Sequence, residues 1–262
     1  LILIYKVNTP KIKSDNGNYL SIDLGLNNLA TCYSNNTEES FIIDGGQYLS
    51  ISRYFNKKIK HYQSILNSQG KKTSKRIQKL YQKRNRQLNH LLHSATKKIV
   101  NYCVKHNITR VIVGDIKDIR DDNNMGKVNN QKLHQLPYDK LYHQLEYKLK
   151  LQGIDLIKKS EKYTSQCSPY SKKVTKKYAD KSNRVQRGLY VDKEKNKAFN
   201  ADVVGAFNIF RKYLQQCRRG PDINLSVKSL NNLTKFKWNQ HQFVETKSIS
   251  ESSSSDRSSG CG

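Results

Sequence analysis

The sequence predicts an α/β fold built on a mixed sheet with flanking helices. The first strand patterns follow one another closely along the chain, as in a meander. A long segment with helical spacing then interrupts them. After it, strand and helix patterns alternate, which is typical of parallel strands joined by crossover helices. We therefore expect three strands, a helical insertion, then strand, helix, strand and helix.

The strands are marked by local patterns. "YLSIDLGLNNLATCYSN" alternates apolar and polar residues on either side of a turn at 25–28, and "ESFIIDGG" supplies a third strand. "ITRVIVGDI" is rich in β-branched residues and suits a buried central strand, and "IDLIKKSE" follows as the next strand. These four stretches predict one mixed sheet.

Helical spacing marks three segments. Between residues 54 and 106 apolar residues recur every three or four positions on both sides of Gly70, which predicts a helical hairpin. "LYHQLEYKLKLQG" predicts a helix that stops at Gly153, and "NADVVGAFNIFRKYL" predicts the final helix.

The two ends of the chain differ from its middle. Residues 1–16 are interpreted as the remnant of a preceding N-terminal domain, and residues 17–214 as the main domain. Residues 215–262 are polar and become serine-rich, so we expect a disordered tail in which Trp238 is incidental.

The charge balance indicates a polyanionic partner. The chain has 48 Lys and Arg against 21 Asp and Glu, a formal net charge of +27. A field of that sign attracts nucleic acid. A membrane is the weaker alternative, because no apolar run approaches the roughly 20 residues of a spanning helix and no signal peptide opens the chain. We expect an intracellular protein, in the cytoplasm of a prokaryote and associated with its nucleoid.

The helical hairpin contains no Asp or Glu. A solvated helix normally gains stability from pairs of opposite charge four residues apart, so this absence favours a surface that follows phosphates over an ordinary solvated face. The candidate nucleic-acid-binding residues are Lys71, Lys72, Lys75, Arg76, Lys83, Arg84 and Arg86.

Three carboxylates stand where this order of elements can bring them together. Asp23 lies in the first strand, Glu161 closes the last predicted strand, and Asp202 begins the last helix. Clustered carboxylates repel one another unless a cation lies among them, and oxygen ligands select Mg²⁺ or Mn²⁺. Two such ions could activate water for attack on a phosphodiester. Taken alone, Asp202 could equally be a helix cap.

A family resemblance adds to this interpretation. Six stretches, in this order, resemble the OrfB/TnpB proteins of insertion sequences: "SIDLGLNNLAT", "VIVGDIKDIR", "NNQKLHQLPYDKLYHQLEYKLKLQGI", "EKYTSQCSP", "RGLYV" and "NADVVGAFNIFRKYL". The resemblance covers roughly residues 17–214. It implies an RNase H-like (RuvC) fold and an RNA-guided, metal-dependent DNA endonuclease, with guide RNA and DNA as partners. It also implies that Asp23 and Asp202 are the first and last RuvC carboxylates.

The second carboxylate departs from the family pattern. Relatives end the central strand with a glutamate followed by an aspartate, whereas this chain has Gly114 followed by Asp115. Asp115 does not simply replace the glutamate, because adjacent strand residues point to opposite faces. Some relatives carry the glutamate on the following strand, where Glu161 stands. We therefore expect Asp23, Glu161 and Asp202 to hold Mg²⁺, with Asp115 in reserve.

The resemblance also implies a zinc ribbon over residues 165–198, but this chain lacks its cysteines. The four ligand positions hold Ser168, Ser171, Asp192 and Lys195. A protonated lysine cannot ligate zinc, and hydroxyls are poor zinc ligands. We expect a degenerate ribbon without zinc. Because structural zinc supplies much of the folding energy of a ribbon, we expect a loose loop.

Several functions stay open from the sequence. The family's portion before the RuvC domain, which grips the guide RNA, is represented by at most its last strand. The chain could be an active or weakened endonuclease, a nucleic-acid-binding protein that no longer cleaves, or a decayed transposon fragment. A transposase that itself joins DNA ends is less favoured, because the residues resemble the guided branch.

Overall fold

The computed structural model describes residues 7–37, 39–115, 137–186, 188–217, 225, 227 and 230–246. The helices and strands of these residues, in chain order, are β1 Tyr19–Asp23, β2 Asn28–Ser34, β3 Ser40–Asp44, α1 Gly46–Ser68, α2 Lys75–Lys105, β4 Arg110–Asp115, α3 Tyr138–Lys150, β5 Asp155–Ser160, β6 Leu189–Asp192, β7 Lys197–Asn200, α4 Ala201–Gln216, β8 Leu233–Asn239 and β9 Gln242–Thr246. The α/β class predicted from the sequence is confirmed.

Seven strands form one mixed sheet in the order β5, β4, β1, β2, β3, β8, β9. Strand β2 is antiparallel to both β1 and β3, while β4 and β5 extend the sheet in parallel from β1. Strand β8 runs parallel to β3, and β9 turns back along β8. The carboxyl ends of β1, β3, β4, β5 and β8 therefore lie at one edge of the sheet.

Each face of the sheet is covered by helices. Leu20 and Ile22 of β1 face a core shared with α2 and α3. Tyr19 of the same strand faces a second core, built largely on α4. The alternation of side chains along a strand thus gives the sheet two buried faces, which explains why its central strands read as nearly continuous apolar runs.

The helical hairpin is longer than its sequence pattern. Helix α1 begins at Gly46, eight residues before the predicted start at residue 54, and Gly70 lies between the helices with φ of +66°. The hydroxyl of Ser74 caps α2 by accepting from the backbone N–H of Ile77. Phe55, Ile59 and Ile77 are buried between the two helices, so the hairpin has a small core of its own.

The C-terminal segment is partly ordered, so the expected disorder of residues 215–262 is wrong for residues 233–246. Strand β8 pairs with the edge of β3 from Ser40 onwards, a non-local partner that a local pattern cannot reveal. Trp238 is not incidental: it packs against the first core with its ring centroid 5.1 Å from that of Phe243. Residues 247–262, with the serine run, lie outside the described residues.

We expect Phe243→Ala to lower the free energy of unfolding by about 2–4 kcal/mol, because it removes a ring that is only 6% exposed from the first core. Chemical denaturation at neutral pH measures the change. Lys237→Ala, at an exposed position of β8, is the matched control and should stay within about 0.5 kcal/mol of the wild type. Equal stability of all three proteins would show that β8 and β9 do not contribute to the fold.

Candidate nucleic-acid cleavage site

Four acidic residues stand at or near the carboxyl-terminal edge of the sheet. Asp23 is the last residue of β1, Asp115 is the last residue of β4, and Glu161 directly follows β5. These three strands are parallel neighbours, so their ends meet. Asp202 reaches the same region from the first turn of α4.

The carboxylate of Asp23 lies under α4. A Cβ at position 205 would stand only 2.5 Å from Oδ2 of Asp23, so the helix approaches this closely because residue 205 is glycine. Burial disfavours the charged form of the carboxylate and raises the pKa of Asp23 to about 7. The charge of Asp202 acts in the same direction, and Arg184 partly opposes both.

Glu161 occupies the space that a side chain at position 114 would need. A Cβ on Gly114 would collide with Oε1 of Glu161. That oxygen is buried and has no hydrogen-bond partner among the described residues. Burial, followed by the charges of Asp23 and Asp115, raises the pKa of Glu161 well above its usual range, while Lys212 opposes this rise.

Asp115 lies towards the other face of the sheet. Val113 of β4 belongs to the core under α2 and α3, whereas Ile112 belongs to the core under α4. The alternation along the strand puts residue 115 on the side of α3. The charge of Asp115 accordingly raises the pKa of Tyr138 and Tyr142, after the larger effect of burial.

Asp202 is not the cap of its helix. Asn200 supplies the cap, because its Oδ1 accepts from the backbone N–H groups of Asp202 and Val203 at 3.0 and 3.2 Å. The side chain of Asp202 instead accepts a hydrogen bond from Nδ2 of Asn28 at 2.7 Å. Its other oxygen lies 3.7 Å from the guanidinium of Arg184. The carboxylate is therefore held by β2 and by the segment before β6.

A cavity of about 460 Å³ opens beside these acids. Asp23 and Asp202 line it together with Asn28, and Arg184 and Lys235 contribute its cations. Within the described ranges no three His, Cys, Asp or Glu side chains stand close enough to share one ion. The acids instead interact in neighbouring pairs, Asp23 with Asp202 and Asp23 with Glu161.

Two of these residues were missed from the sequence. Arg184 belongs to an irregular segment, and Asn28 belongs to a turn-like stretch that begins β2. Neither residue has a periodic pattern or a motif of residue types that predicts a role. Asn28 and Asp202 are 174 positions apart in the sequence, so their contact joins two distant parts of the chain.

The degenerate ribbon is ordered, so the expectation of a loose loop is wrong. Strands β6 and β7 form an antiparallel hairpin. Asp192 is only 2% exposed and accepts hydrogen bonds from the hydroxyl of Ser168 and from the backbone N–H of Lys195, the latter at 2.9 Å. The hydroxyl of Ser171 donates to the carbonyl of Ser168 at 2.8 Å. Hydrogen bonds thus connect all four former ligand positions.

Side chains of helix α4 hold the ribbon by hydrogen bonds. Nδ2 of Asn208 donates to the carbonyls of Thr164 and Cys167, both at 2.8 Å. Arg211 donates to the carbonyl of Ser168 at 2.9 Å. Cys167 is buried, and its thiol lies 3.4 Å from the carbonyl of Thr175. Two hydroxyls, one carboxylate and one ammonium do not fit zinc, which prefers thiolate and imidazole ligands.

The basic residues proposed on the hairpin are mostly exposed, with Arg84 half-buried. The guanidinium of Arg76 lies 4.1 Å from the ring centroid of Tyr62, and that of Arg84 lies 5.1 Å from the ring of Tyr81. Cations and aromatic faces are therefore interleaved on this surface, a combination that suits phosphates and bases.

Two family models match the chain. The model OrfB_IS605, described as a probable transposase, matches residues 3–120, and the Cas12f1-like TNB domain matches residues 138–209. The second match contains the ribbon and the first part of α4, which hold Arg184 and Asp202. Over these residues the chain is similar to the OrfB/TnpB family.

The chain is 26% identical to a TnpB-like protein of Methanocaldococcus jannaschii over 163 residues, which are 62% of this chain and 56% of that protein. It resembles the cryo-EM structure of a Cas12f1–sgRNA–target DNA complex with a TM-score of 0.56 and 21% identity, covering 78% of this chain and 51% of that one. The cryo-EM structure of a CRISPR-Cas12f ternary complex matches with a TM-score of 0.55 and 21% identity. This match covers 84% of this chain and 41% of that one.

These likenesses confirm the predicted fold class, a mixed sheet with flanking helices of the RNase H-like type. The chain spans about half the length of the relatives it matches. None of its described helices is long and apolar enough to cross a membrane.

We expect Asp23→Asn to stabilise the protein at pH 8 in EDTA by several degrees, and much less at pH 5. The folded Asp23 holds its proton up to a pKa of about 7, whereas an unfolded aspartate loses it near pH 4. Wild-type stability therefore falls as pH rises between these values, and the variant lacks this loss. Thermal unfolding from pH 4 to 8 measures it. Asp139→Asn, at an exposed carboxylate, should show no such pH-dependent gain.

We expect chelation to leave the ribbon intact, whereas Asp192→Ala should lower the free energy of unfolding by about 2 kcal/mol, because it removes the buried acceptor of the hydrogen bonds from Ser168 and Lys195. Elemental analysis for zinc and melting curves with and without EDTA test this, with Glu194→Ala as the exposed control on the same hairpin. Stoichiometric zinc, or a melting temperature lowered by EDTA, would contradict the hydrogen-bonded ribbon.

Proposed function

We propose that this chain is the nuclease half of an RNA-guided, metal-dependent DNA endonuclease, with Asp23, Glu161 and Asp202 as its catalytic carboxylates. The observation that carries the proposal is the contact between Glu161 and Gly114. The carboxylate that the family pattern places on the central strand is absent, and a carboxylate from the next strand fills the vacated space.

The neighbouring pairs of these carboxylates, Asp23 with Asp202 and Asp23 with Glu161, would hold Mg²⁺ or Mn²⁺. Their hard oxygen donors suit these cations, and a cation beside them would offset both the burial and the repulsion that raise the pKa of Asp23 and Glu161. Oε1 of Glu161 is buried and has no hydrogen-bond partner in the described parts of the chain, which leaves it available to a ligand. When bound, the metal supplies an activated water and stabilises the leaving oxygen of the phosphodiester.

The remaining polar residues of the site would orient the groups that react. Asn28 holds one oxygen of Asp202 and so fixes the rotation of its carboxylate. Arg184 presents a planar set of donors beside the same carboxylate, a geometry that matches a phosphodiester. The cavity that these residues share has room for a nucleotide backbone.

DNA and a guide RNA are the proposed partners. The exposed cations of α1 and α2 supply a phosphate-binding surface, and one of the similar solved structures is itself a complex with sgRNA and target DNA. Such a protein would act where DNA is accessible, in the nucleoid region of a prokaryotic cytoplasm.

A nucleic-acid-binding protein that does not cleave is the second candidate. One observation favours it: no three acids within the described residues stand close enough to share an ion. The basic hairpin surface does not depend on those acids, so binding would survive the loss of cleavage.

Cleavage of single-stranded and duplex DNA in Mg²⁺ or Mn²⁺, with and without the RNA that co-purifies, tests the proposal. We expect Asp23→Ala, Glu161→Ala and Asp202→Ala each to lower the rate by about 100-fold or more, because each removes a metal ligand. Asp115→Ala should change the rate by only a few-fold. The reverse pattern for Glu161 and Asp115 would contradict the assignment.

A swap of the glutamate gives the sharpest form of this test. Glu161→Gly alone should abolish cleavage, and adding Gly114→Glu should restore much of it, since the carboxylate returns to the same space from the neighbouring strand. If wild-type protein binds nucleic acid in a salt-dependent way but never cuts, the non-cleaving candidate stands instead.

A further inference from the structure

Strand β8 brings a cation from the C-terminal segment to the cavity of the carboxylates. Nζ of Lys235 lies 2.8 Å from Oδ2 of Asp44, the last residue of β3. Both residues line the cavity that contains Asp23 and Asp202. The side chain of Lys235 is 39% exposed, so its ammonium group reaches the solvent of that cavity.

The position of Lys235 is determined by the sheet. Its Cα pairs with that of Ile42, and the next pair joins Phe236 to Ile43. Phe236 and Trp238 turn towards the core under α2 and α3, whereas Leu233 belongs to the core under α4. Alternation therefore directs Lys235 to the α4 side of the sheet, where the carboxylates lie.

The cavity contains three carboxylates, those of Asp23, Asp44 and Asp202, against two cations, Arg184 and Lys235. The cations come from different parts of the chain and neighbour different acids: Arg184 lies beside Asp202, and Lys235 beside Asp44. A nucleic-acid strand that enters such a cavity meets repulsion from the acids and needs cations along its path.

We propose that Lys235 binds a backbone phosphate of the nucleic-acid strand that occupies this cavity, which makes β8 part of the nucleic-acid site. The identity of the ligand rests on the proposed function. An ammonium group has three N–H donors, more than one carboxylate oxygen uses, so Lys235 can contact Asp44 and a phosphate together. Partly exposed ion pairs stabilise a fold by at most about 1 kcal/mol, so the pair with Asp44 is a weak structural reason for a lysine here.

The test is equilibrium binding of fluorescent single-stranded DNA and RNA by the full chain in EDTA, where no cleavage occurs. We expect Lys235→Ala to weaken binding about 3- to 10-fold at low salt and to reduce the salt-dependence slope by about one ion. Lys235→Arg keeps the charge and should bind within about 2-fold of wild type. The DNA and RNA arms distinguish which strand the cavity takes.

Lys237→Ala is the matched control, because it removes the same charge from an exposed position two residues along β8 that does not line the cavity. Equal binding and equal slopes for the Lys235→Ala and Lys237→Ala variants would overturn the proposal and leave Lys235 as an ion-pair partner of Asp44. Melting temperatures of both variants verify that β8 remains folded. If the wild-type protein binds no nucleic acid, the proposed function itself is overturned. If the wild-type protein binds and Lys235→Ala has no greater effect than Lys237→Ala, only the role of Lys235 is overturned.

Discussion

Helix α4 packs directly on β1, and this contact organises the candidate site. The buried hydroxyl of Ser21 donates to the carbonyl of Ala206 at 2.7 Å, one residue beyond Gly205, whose missing side chain leaves room for Asp23. The first turn of the same helix carries Asp202, and its later turns carry the anchors of the ribbon. A shift of α4 would therefore disturb the acids and the ribbon together, which ties the chemistry of the site to one packing contact.

Hydrogen bonds connect the four ribbon positions at which the family resemblance implies zinc ligands. A structural zinc ion provides on the order of 10 kcal/mol to a small domain, whereas a single hydrogen bond contributes roughly 1 kcal/mol. The few hydrogen bonds around Asp192 therefore contribute less free energy than a zinc site would. Contacts with α4 add to the stability of the ribbon. The buried side chains of Asn208 and Arg211 donate hydrogen bonds to carbonyl groups of the ribbon. The ribbon has become an extension of the core under α4, and Arg184 keeps a defined position beside Asp202 as a result.

Much of the fold follows from local patterns, because the strands and helices around Asp23 and Asp202 have strong periodicity and familiar flanking residues. The position of Glu161 could also be inferred, since parallel strands end at the same edge of a sheet. The pairing of strands that lie far apart in the sequence could not be inferred in this way. Strand β8 alternates Lys235 and Lys237 with Phe236 and Trp238, but no local pattern says that its partner is the edge of β3. Likewise, the order of the ribbon depends on Asp192, which stands where the resemblance implies a zinc ligand and acts here as a hydrogen-bond acceptor.

The parallel pairing of β8 with β3 also bears on how the protein is made. Ser40 pairs with Leu233, so during synthesis the edge of β3 stays without its partner until nearly all of the described chain has left the ribosome. An unpaired strand edge is a template for association with other chains, and long-range pairing forms slowly. The nascent protein therefore has an interval in which its sheet is open at β3, and during that interval it is most prone to pair with another chain.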